Sequence, residues 1–274
     1  MTAKYTTVLT AYIEGIGLIA PGFNDWQSGQ KILAVQQQYQ SAKTVIPTPE
    51  LLPAAERRRA SDIVKLTLAT SLEAITTAGL QEENLPSVFS FSNGDGLNCH
   101  TICEMLASED REISPTRFHN SVHNAAAGYW SIATKTMATS SVLCAFDASF
   151  GAGLLDALTQ VAVDNTRCIL IASDTPYPEP MFSKRPIPDN CSIALVLAPQ
   201  ASKHSIAQIT VSFTNEEAYQ FTDGALETLR TAIPAARSLP LLALIAQQNA
   251  TQNNGRVVLD YLDDLRLAVE VNPC

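Results

Sequence analysis

The sequence predicts an α/β fold, and three observations carry that reading. Two short unbroken apolar runs, Cys168-Ile-Leu-Ile-Ala172 and Cys191-Ser-Ile-Ala-Leu-Val-Leu-Ala198, have the composition of strands buried on both faces of a layered sheet. From Glu56 to Ala78 the apolar residues Ala60, Ile63, Val64, Leu68, Leu72, Ile75 and Ala78 recur at three- and four-residue steps, the period of a helix with one buried face. Strand-like and helix-like segments alternate along most of the chain, the order that lays helices over a sheet.

In chain order, residues 7–20 (TVLTAYIEGIGLIA) mix β-branched and aliphatic residues and stop at Pro21-Gly22, a strand followed by turn chemistry. The Pro-rich segment from Val45 to Pro53 forbids a continuous helix and reads as a loop. The helix over 56–78 ends at Gly79, placed where a left-handed C′ residue belongs. Val88 to Ser92 reads as a strand, Asn93-Gly-Asp-Gly96 as a turn and 98–108 as a helix. Val122 to Thr136 is Ala-rich and helix-like, Ser140 to Phe146 strand-like, and Gly153 to Val163 helical by its Leu154, Leu155, Leu158 and Val161. Beyond Pro199 the pattern gives a strand at 205–213, a helix at 223–236 and apolar pieces at 240–246 and 256–271.

The chain has 274 residues, 46% of them hydrophobic and 16% charged, enough apolar material for a sizeable core. A formal net charge of −9 removes the broad cationic footprint that nucleic-acid binding needs. Arg57-Arg-Arg59 is the only basic run, and at a helix start its charges would oppose the dipole unless something outside compensates them. No apolar stretch approaches the ~20 residues of a membrane span and the N-terminus has no signal-peptide pattern, so the expected location is cytoplasmic. The six cysteines fall mostly inside predicted elements, which fits reduced thiols.

Four segments acquire meaning together. Ile13-Glu-Gly-Ile-Gly-Leu-Ile-Ala-Pro-Gly22 has the form of an opening strand and turn. Glu112-Ile-Ser-Pro115 followed by Ser121-Val-His-Asn-Ala-Ala-Ala-Gly128 has that of a helix leading to a nucleophile. Leu143-Cys-Ala-Phe-Asp-Ala-Ser-Phe-Gly151 falls at the nucleophile turn, and Asp189-Asn-Cys-Ser-Ile-Ala-Leu-Val-Leu197 at the closing strand of a half. In this order and spacing over residues 7–198 they resemble the β-ketoacyl synthases of the thiolase-like superfamily. Leu51-Leu-Pro-Ala-Ala-Glu-Arg-Arg-Arg-Ala-Ser61 and Asp147-Ala-Ser-Phe-Gly-Ala-Gly-Leu-Leu155 narrow the resemblance to the chain-length-factor-like ketosynthase subunits of bacterial aryl polyene biosynthesis. The resemblance implies a thiolase-like layered α-β-α-β-α fold with a complete N-terminal half, residues 1–200. Residues 201–274 are too few for a full second half, which is therefore abbreviated.

The departures define the expected function. A ketosynthase needs a cysteine thiolate at the tip of a strand-to-helix turn, where helix-terminal N–H groups favour the anion. The ungapped register from Ser114-Pro115 puts Asp147 in that slot, and an acyl aspartate would be a more reactive anhydride than the thioester it came from. A shift of two residues puts Ser149 at the turn, an arrangement close to a serine elbow but lacking its first glycine and any placed histidine. That alternative is a stand-alone serine acyltransferase or thioesterase; a helix-start serine capping free N–H groups is the plainer reading. Ketosynthases also take two histidines from the second half of the fold, and none follows His204 here.

The expectation is therefore a subunit with no catalytic residues or cofactor, heterodimeric with an active ketosynthase and meeting acyl carrier protein through the complex. By resemblance, Phe118, His119, Asn120 and Val122 lie in the segment that crosses the dimer interface and lines the far end of the partner's acyl tunnel. His100 and Thr101 are further candidates for that wall. Packing of Phe118 in its own core is an equally good reading. Arg57 to Arg59 have the charge to meet a carrier's acidic helix or a phosphopantetheine phosphate, although such a run is more often a solvated helix end. The spacings of His119 with His123, and of Cys99 and Cys103 around His100, permit metal ligands, but without a second cysteine pair no metal is expected.

Overall fold

The computed structural model describes residues 8–80, 84–251 and 253–274, with backbone only at 249 and 250. Its strands are β1 (Leu9–Ile19), β2 (Ser87–Phe91), β3 (Ser140–Cys144), β4 (Cys168–Asp174), β5 (Cys191–Ala198), β6 (Ala207–Thr214), β7 (Gly255–Leu259) and β8 (Arg266–Pro273). Its helices are α1 (Trp26–Leu33), α2 (Ala54–Arg59), α3 (Asp62–Thr77), α4 (Gly96–Ala107), α5 (Pro115–Asn120), α6 (Ala125–Thr134), α7 (Ser149–Asp164), α8 (Gly224–Ala232) and α9 (Leu239–Thr251). The strands form one mixed sheet in the order β3-β2-β4-β5-β1-β6-β8-β7. β2, β3 and β4 run parallel, and the remaining pairings are antiparallel.

The unbroken apolar runs are explained by two cores, one on each face of this sheet. Along β5, Ile193, Leu195 and Leu197 join the cluster beneath α7 and α9, while Ala194 and Val196 join the cluster beneath α3 and α6. β4 alternates in the same way, with Leu170 and Ala172 on one side and Ile169 and Ile171 on the other. No position in either strand faces water, so no polar alternation is visible in the sequence.

The glycines of β1 set how close α3 comes. A Cβ on Gly15 would lie 2.0 Å from the carbonyl oxygen of Ala74, and one on Gly17 2.1 Å from that of Thr70, so the helix rests on bare strand backbone. Between Ile13 and Gly15 the β1–β5 register shifts, and Glu14 there is fully buried. Burial pushes the Glu14 carboxyl up, but hydrogen bonds from Arg167 (2.6 Å) and the Ser202 hydroxyl outweigh it and hold the group below the usual range.

Three expectations change. The helix read over 56–78 is two helices, α2 and α3, parted at Ala60, whose ψ of 126° is extended. Arg57 to Arg59 therefore occupy the last turn of α2, where positive charge complements the helix dipole instead of opposing it. Two short helices also form where the pattern names no element: α1, capped by Asp25 accepting from the Ser28 N–H (2.6 Å), and α5, with Pro115 in its first turn. The apolar piece at 240–246 is the middle of α9, and that at 256–271 is two strands.

The C-terminal strands continue the first sheet, β6 pairing with β1 from Leu9↔Val211 to Ile13↔Ala207. The residues after 200 share the larger core, to which Leu239, Leu242, Ile245 and Val269 belong. At the far edge Tyr219 donates to the Val258 carbonyl (2.8 Å) and partly covers β7, whereas β3 pairs only with β2 among the described residues. Among those residues, no helix is long and apolar enough to cross a membrane.

The β1–α3 approach is testable. Gly17→Ala should lower stability by about 3 kcal/mol or more, because neither backbone can yield. Gly128→Ala, on α6 with nothing within 4 Å of its added carbon, should stay within about 1 kcal/mol of the wild type. Equal urea-unfolding midpoints for the two variants would contradict it.

Candidate functional site

β2, β3 and β4 end together at Phe91, Cys144 and Asp174, and the carboxyl ends of parallel strands are where α/β sheets place their chemistry. Beyond Cys144 the chain passes through Ala145 into a tight 3-10 turn, Phe146–Ala148, and then into α7. Phe146 stands at the tip with φ +52°, a left-handed backbone that a bulky residue rarely adopts. The left-handed position is thus one residue ahead of Asp147, the residue that the register from Ser114-Pro115 assigns to the slot.

The tip is held by charge. Arg185, from the loop between β4 and β5, donates to Asp147 Oδ1 (2.5 Å) and lays its guanidinium over the Phe146 ring, 3.5 Å from the centroid. Arg237, from the 3-10 turn Pro234–Ser238, donates to Asp147 Oδ2 (3.1 Å) and to its backbone carbonyl (3.1 Å). Both carboxylate oxygens are thereby engaged, and the Phe146 ring, 62% exposed, stands at the tip beside the Arg185 guanidinium.

Ser149 lies inside the turn, only 2% exposed. Its hydroxyl is within hydrogen-bond reach of the carbonyls of Phe91 (2.8 Å) and Phe146 (2.7 Å), donating to one, and it accepts the Ala145 N–H (3.1 Å). Among the described residues no histidine hydrogen-bonds it. The geometry is that of a serine closing a turn.

Two titratable groups border the elbow. Cys144, exposed at its edge, lies 2.6 Å from His123 Nε2, and partial desolvation, with the nearby Asp174 charge, pushes its thiol up to about 11. Asp174 is buried beneath the turn, accepting from the N–H groups of Ser92 (2.9 Å) and Ala235 (2.7 Å) and so tying the C-terminal segment to the end of β2. Burial raises its carboxyl to about 6, against those hydrogen bonds and the positive charge of Arg185.

The remaining predicted residues separate into outward and inward sets. Phe118 on α5 is 66% exposed and Val122 51% exposed, so Phe118 does not pack in its own core. Asn120 is buried, donating to the Arg59 carbonyl (2.8 Å) and accepting from Tyr129 Oη (3.1 Å). His119 sits edge-on to the Tyr129 ring, His100 pairs with Glu104 (3.2 Å), and Thr101 donates to the Leu97 carbonyl. His119 and His123 thus turn to different partners, as do His100 and the two cysteines beside it, and no group of three or more metal-ligating side chains occurs among the described residues.

Sequence reasoning missed Phe146, Arg185, Arg237, Asp174 and the Cys144–His123 pair. A charge at Asp147 next to an aromatic was the one local sign that the turn is unusual. The arginines come from 38 and 90 residues away, with no motif to announce them.

Comparisons with known proteins bear on the family and the fold. A family model described as β-ketoacyl synthase, N-terminal domain, matches residues 25–256. No curated protein sequence matches the chain. A solved structure of a ketosynthase (ApeO) in complex with its chain length factor (ApeC) from Xenorhabdus doucetiae gives a TM-score of 0.70 at 21% identity, covering 96% of this chain and 99% of that one. The ishigamide ketosynthase/chain length factor gives 0.72 at 12% identity, covering 97% and 99%. A type II polyketide acyl-carrier protein in complex with its ketosynthase (AntDE:AntF) gives 0.71 at 9% identity, covering 98% and 100%. At these identities the likeness is one of fold.

The buried carboxyls predict a pH dependence. Asp174, raised from 3.8 to about 6, and Glu73, raised by burial from 4.5 to about 7, bind protons more tightly folded than unfolded. Their ionisation therefore costs stability as pH rises through 6 to 7, and the protein should resist urea better at pH 5.5 than at pH 8. Asp174→Asn should flatten that slope. A wild-type profile level over this range would contradict the assignment.

Proposed function

The chain belongs to the β-ketoacyl synthase family, and we propose that within it this is a subunit without condensing activity of its own. It pairs with an active ketosynthase in a chain-length-factor-like role and shapes the far end of that partner's acyl tunnel. One observation carries the reading: the tip of the nucleophile turn holds Phe146, an aromatic side chain capped by Arg185, where a condensing enzyme needs a thiolate. The absence of any histidine after His204 supports it, because the enolate formed on decarboxylation then has no imidazole from the second half to stabilise it.

The surface supports the partnership. Among the described residues β3 has an unpaired edge, which antiparallel pairing with an equivalent strand of a partner would turn into one continuous sheet. Leu97, Leu106, Phe118, Val122, Met137 and Phe146, all large apolar side chains left exposed, come from the segments that lead to and from this strand. Side chains of this kind are what a partner would cover. In the complex the partner supplies the cysteine and histidines and condenses malonyl units on an acyl carrier protein, as in aryl polyene or similar polyketide assembly. Phe118 and Val122, both exposed on α5 and the turn after it, are the side chains that would close the tunnel.

Co-expression with the ketosynthase of the same pathway should yield a stable heterodimer, and the chain alone should not decarboxylate malonyl carrier protein. In the complex, Phe118→Ala should lengthen and Phe118→Trp shorten the acyl products while the condensation rate changes little. Unchanged products from both variants would leave this chain a scaffold and remove the gating role.

A further inference from the structure

We infer that the cavity between the turn after α1 and the segment leading into α8 is a binding site for a small planar aromatic cation. It lies apart from the nucleophile turn, none of whose residues line it, and the inference does not rest on the function proposed above. The cavity encloses ≈ 360 Å³, at the small end of the about 300–1,000 Å³ typical of ligand sites. Ile32, Leu33 and Leu226, all buried, give it an apolar lining.

Aromatic side chains add to that lining. Tyr39, Tyr219 and Phe221 all border the cavity. Tyr39 is fixed in place, its ring stacked on Phe23 (5.3 Å between centroids) and its hydroxyl donating to the Pro21 carbonyl (2.9 Å). Tyr219 and Phe221 meet edge to face with centroids 5.2 Å apart, and Tyr219 is 41% exposed, so part of its ring is open to a ligand. Such a cluster recruits a further ring by stacking or edge contact, and aromatic faces attract cations. The turn after α1 is built as firmly. Val35 holds a left-handed backbone (φ +59°) that a β-branched residue rarely adopts, and the N–H groups of Gln36 and Gln37 both donate to the Lys31 carbonyl (2.9 and 3.2 Å). Strain of this kind persists only where its surroundings over-determine it, and ligand clamps are among the places where it gathers.

Charge selects the ligand. Among the described residues no lysine or arginine lines the cavity, whereas Asp223 does. Asp223 forms no ion pair among those residues, and Oδ1 alone caps α8, accepting from the N–H groups of Ala225 (2.9 Å) and Leu226 (3.0 Å). Its charge reaches the aromatic wall, since the Tyr39 hydroxyl is pushed up chiefly by burial, with the Asp223 carboxylate adding to it. The side-chain amides of Gln36, Gln37 and Gln38 are exposed on the same cavity and offer acceptors. Aromatic faces, an unpaired carboxylate and amide oxygens together complement a flat ring that bears a delocalised positive charge and N–H donors. An aromatic anion would meet a carboxylate and no cation there, and an alkyl ammonium would forgo the ring contacts.

Ligand-observed NMR titration of the full chain tests this with benzamidine, an aromatic cation, against benzamide, its neutral counterpart, benzoate, an aromatic anion, and cyclohexylamine, a cation without an aromatic ring. Benzamidine should bind saturably and about fivefold or more tighter than each of the others. Tyr219→Ala should weaken it about fivefold and Asp223→Asn about threefold. Asparagine keeps the oxygen that caps α8, and Tyr219 is exposed, so both variants should retain the wild-type unfolding midpoint, which separates lost binding from lost folding. Asp110→Asn, at an exposed carboxylate outside the cavity, should leave benzamidine binding unchanged. An equal loss there would assign the binding to the chain's net charge of −9 and overturn the site. Absence of saturable binding, binding that Tyr219→Ala and Asp223→Asn leave unchanged, or benzamide binding as tightly as benzamidine would each overturn the inference.

Discussion

The elbow depends on one carboxylate shared by two guanidiniums. Asp147 follows the left-handed Phe146, and Arg185 and Arg237 reach it from separate loops. A bulky residue in that backbone region carries a cost of order 1–3 kcal/mol and persists only where its surroundings over-determine it. Here the over-determination is visible: both Asp147 oxygens are bonded, one guanidinium stacks on the ring, and the Ser149 hydroxyl closes the turn beneath. The same cluster joins the loop after β4 to the C-terminal segment, and buried Asp174 repeats that join through the Ala235 N–H.

Much of the fold is legible in the sequence because its strongest signals are local. β4 and β5 announce themselves as apolar runs since each face meets its own core, and Gly79, with φ +66°, ends the α3 segment where its position foretells. The break between α2 and α3 is not legible, because Ala60 and Ser61 continue the helical spacing and only the backbone at Ala60 departs from it. The consequence is electrostatic, since the break moves three arginines from a helix start to a helix end.

The site is legible only in part. That no cysteine stands at Asp147, where the register places the nucleophile, is readable from the sequence, although Cys144 lies three residues earlier at the end of β3. Which residue stands at the tip is not, since the left-handed conformation falls on a phenylalanine, where propensity would favour glycine or asparagine. Arg185 and Arg237 enter the site through tertiary packing and leave no trace in spacing or composition. The predicted wall residues likewise divide only in three dimensions, Phe118 and Val122 outward and Asn120 inward.

The central claim is that this chain never holds the growing acyl group. Intact-protein and peptide mass spectrometry of the chain, taken from a complex that is actively condensing acyl units, tests it most directly. The expected result is an unmodified peptide spanning residues 140–160 while the partner subunit carries the acyl adduct. An acyl adduct on that peptide of this chain, at Cys144, Asp147 or Ser149, would contradict it.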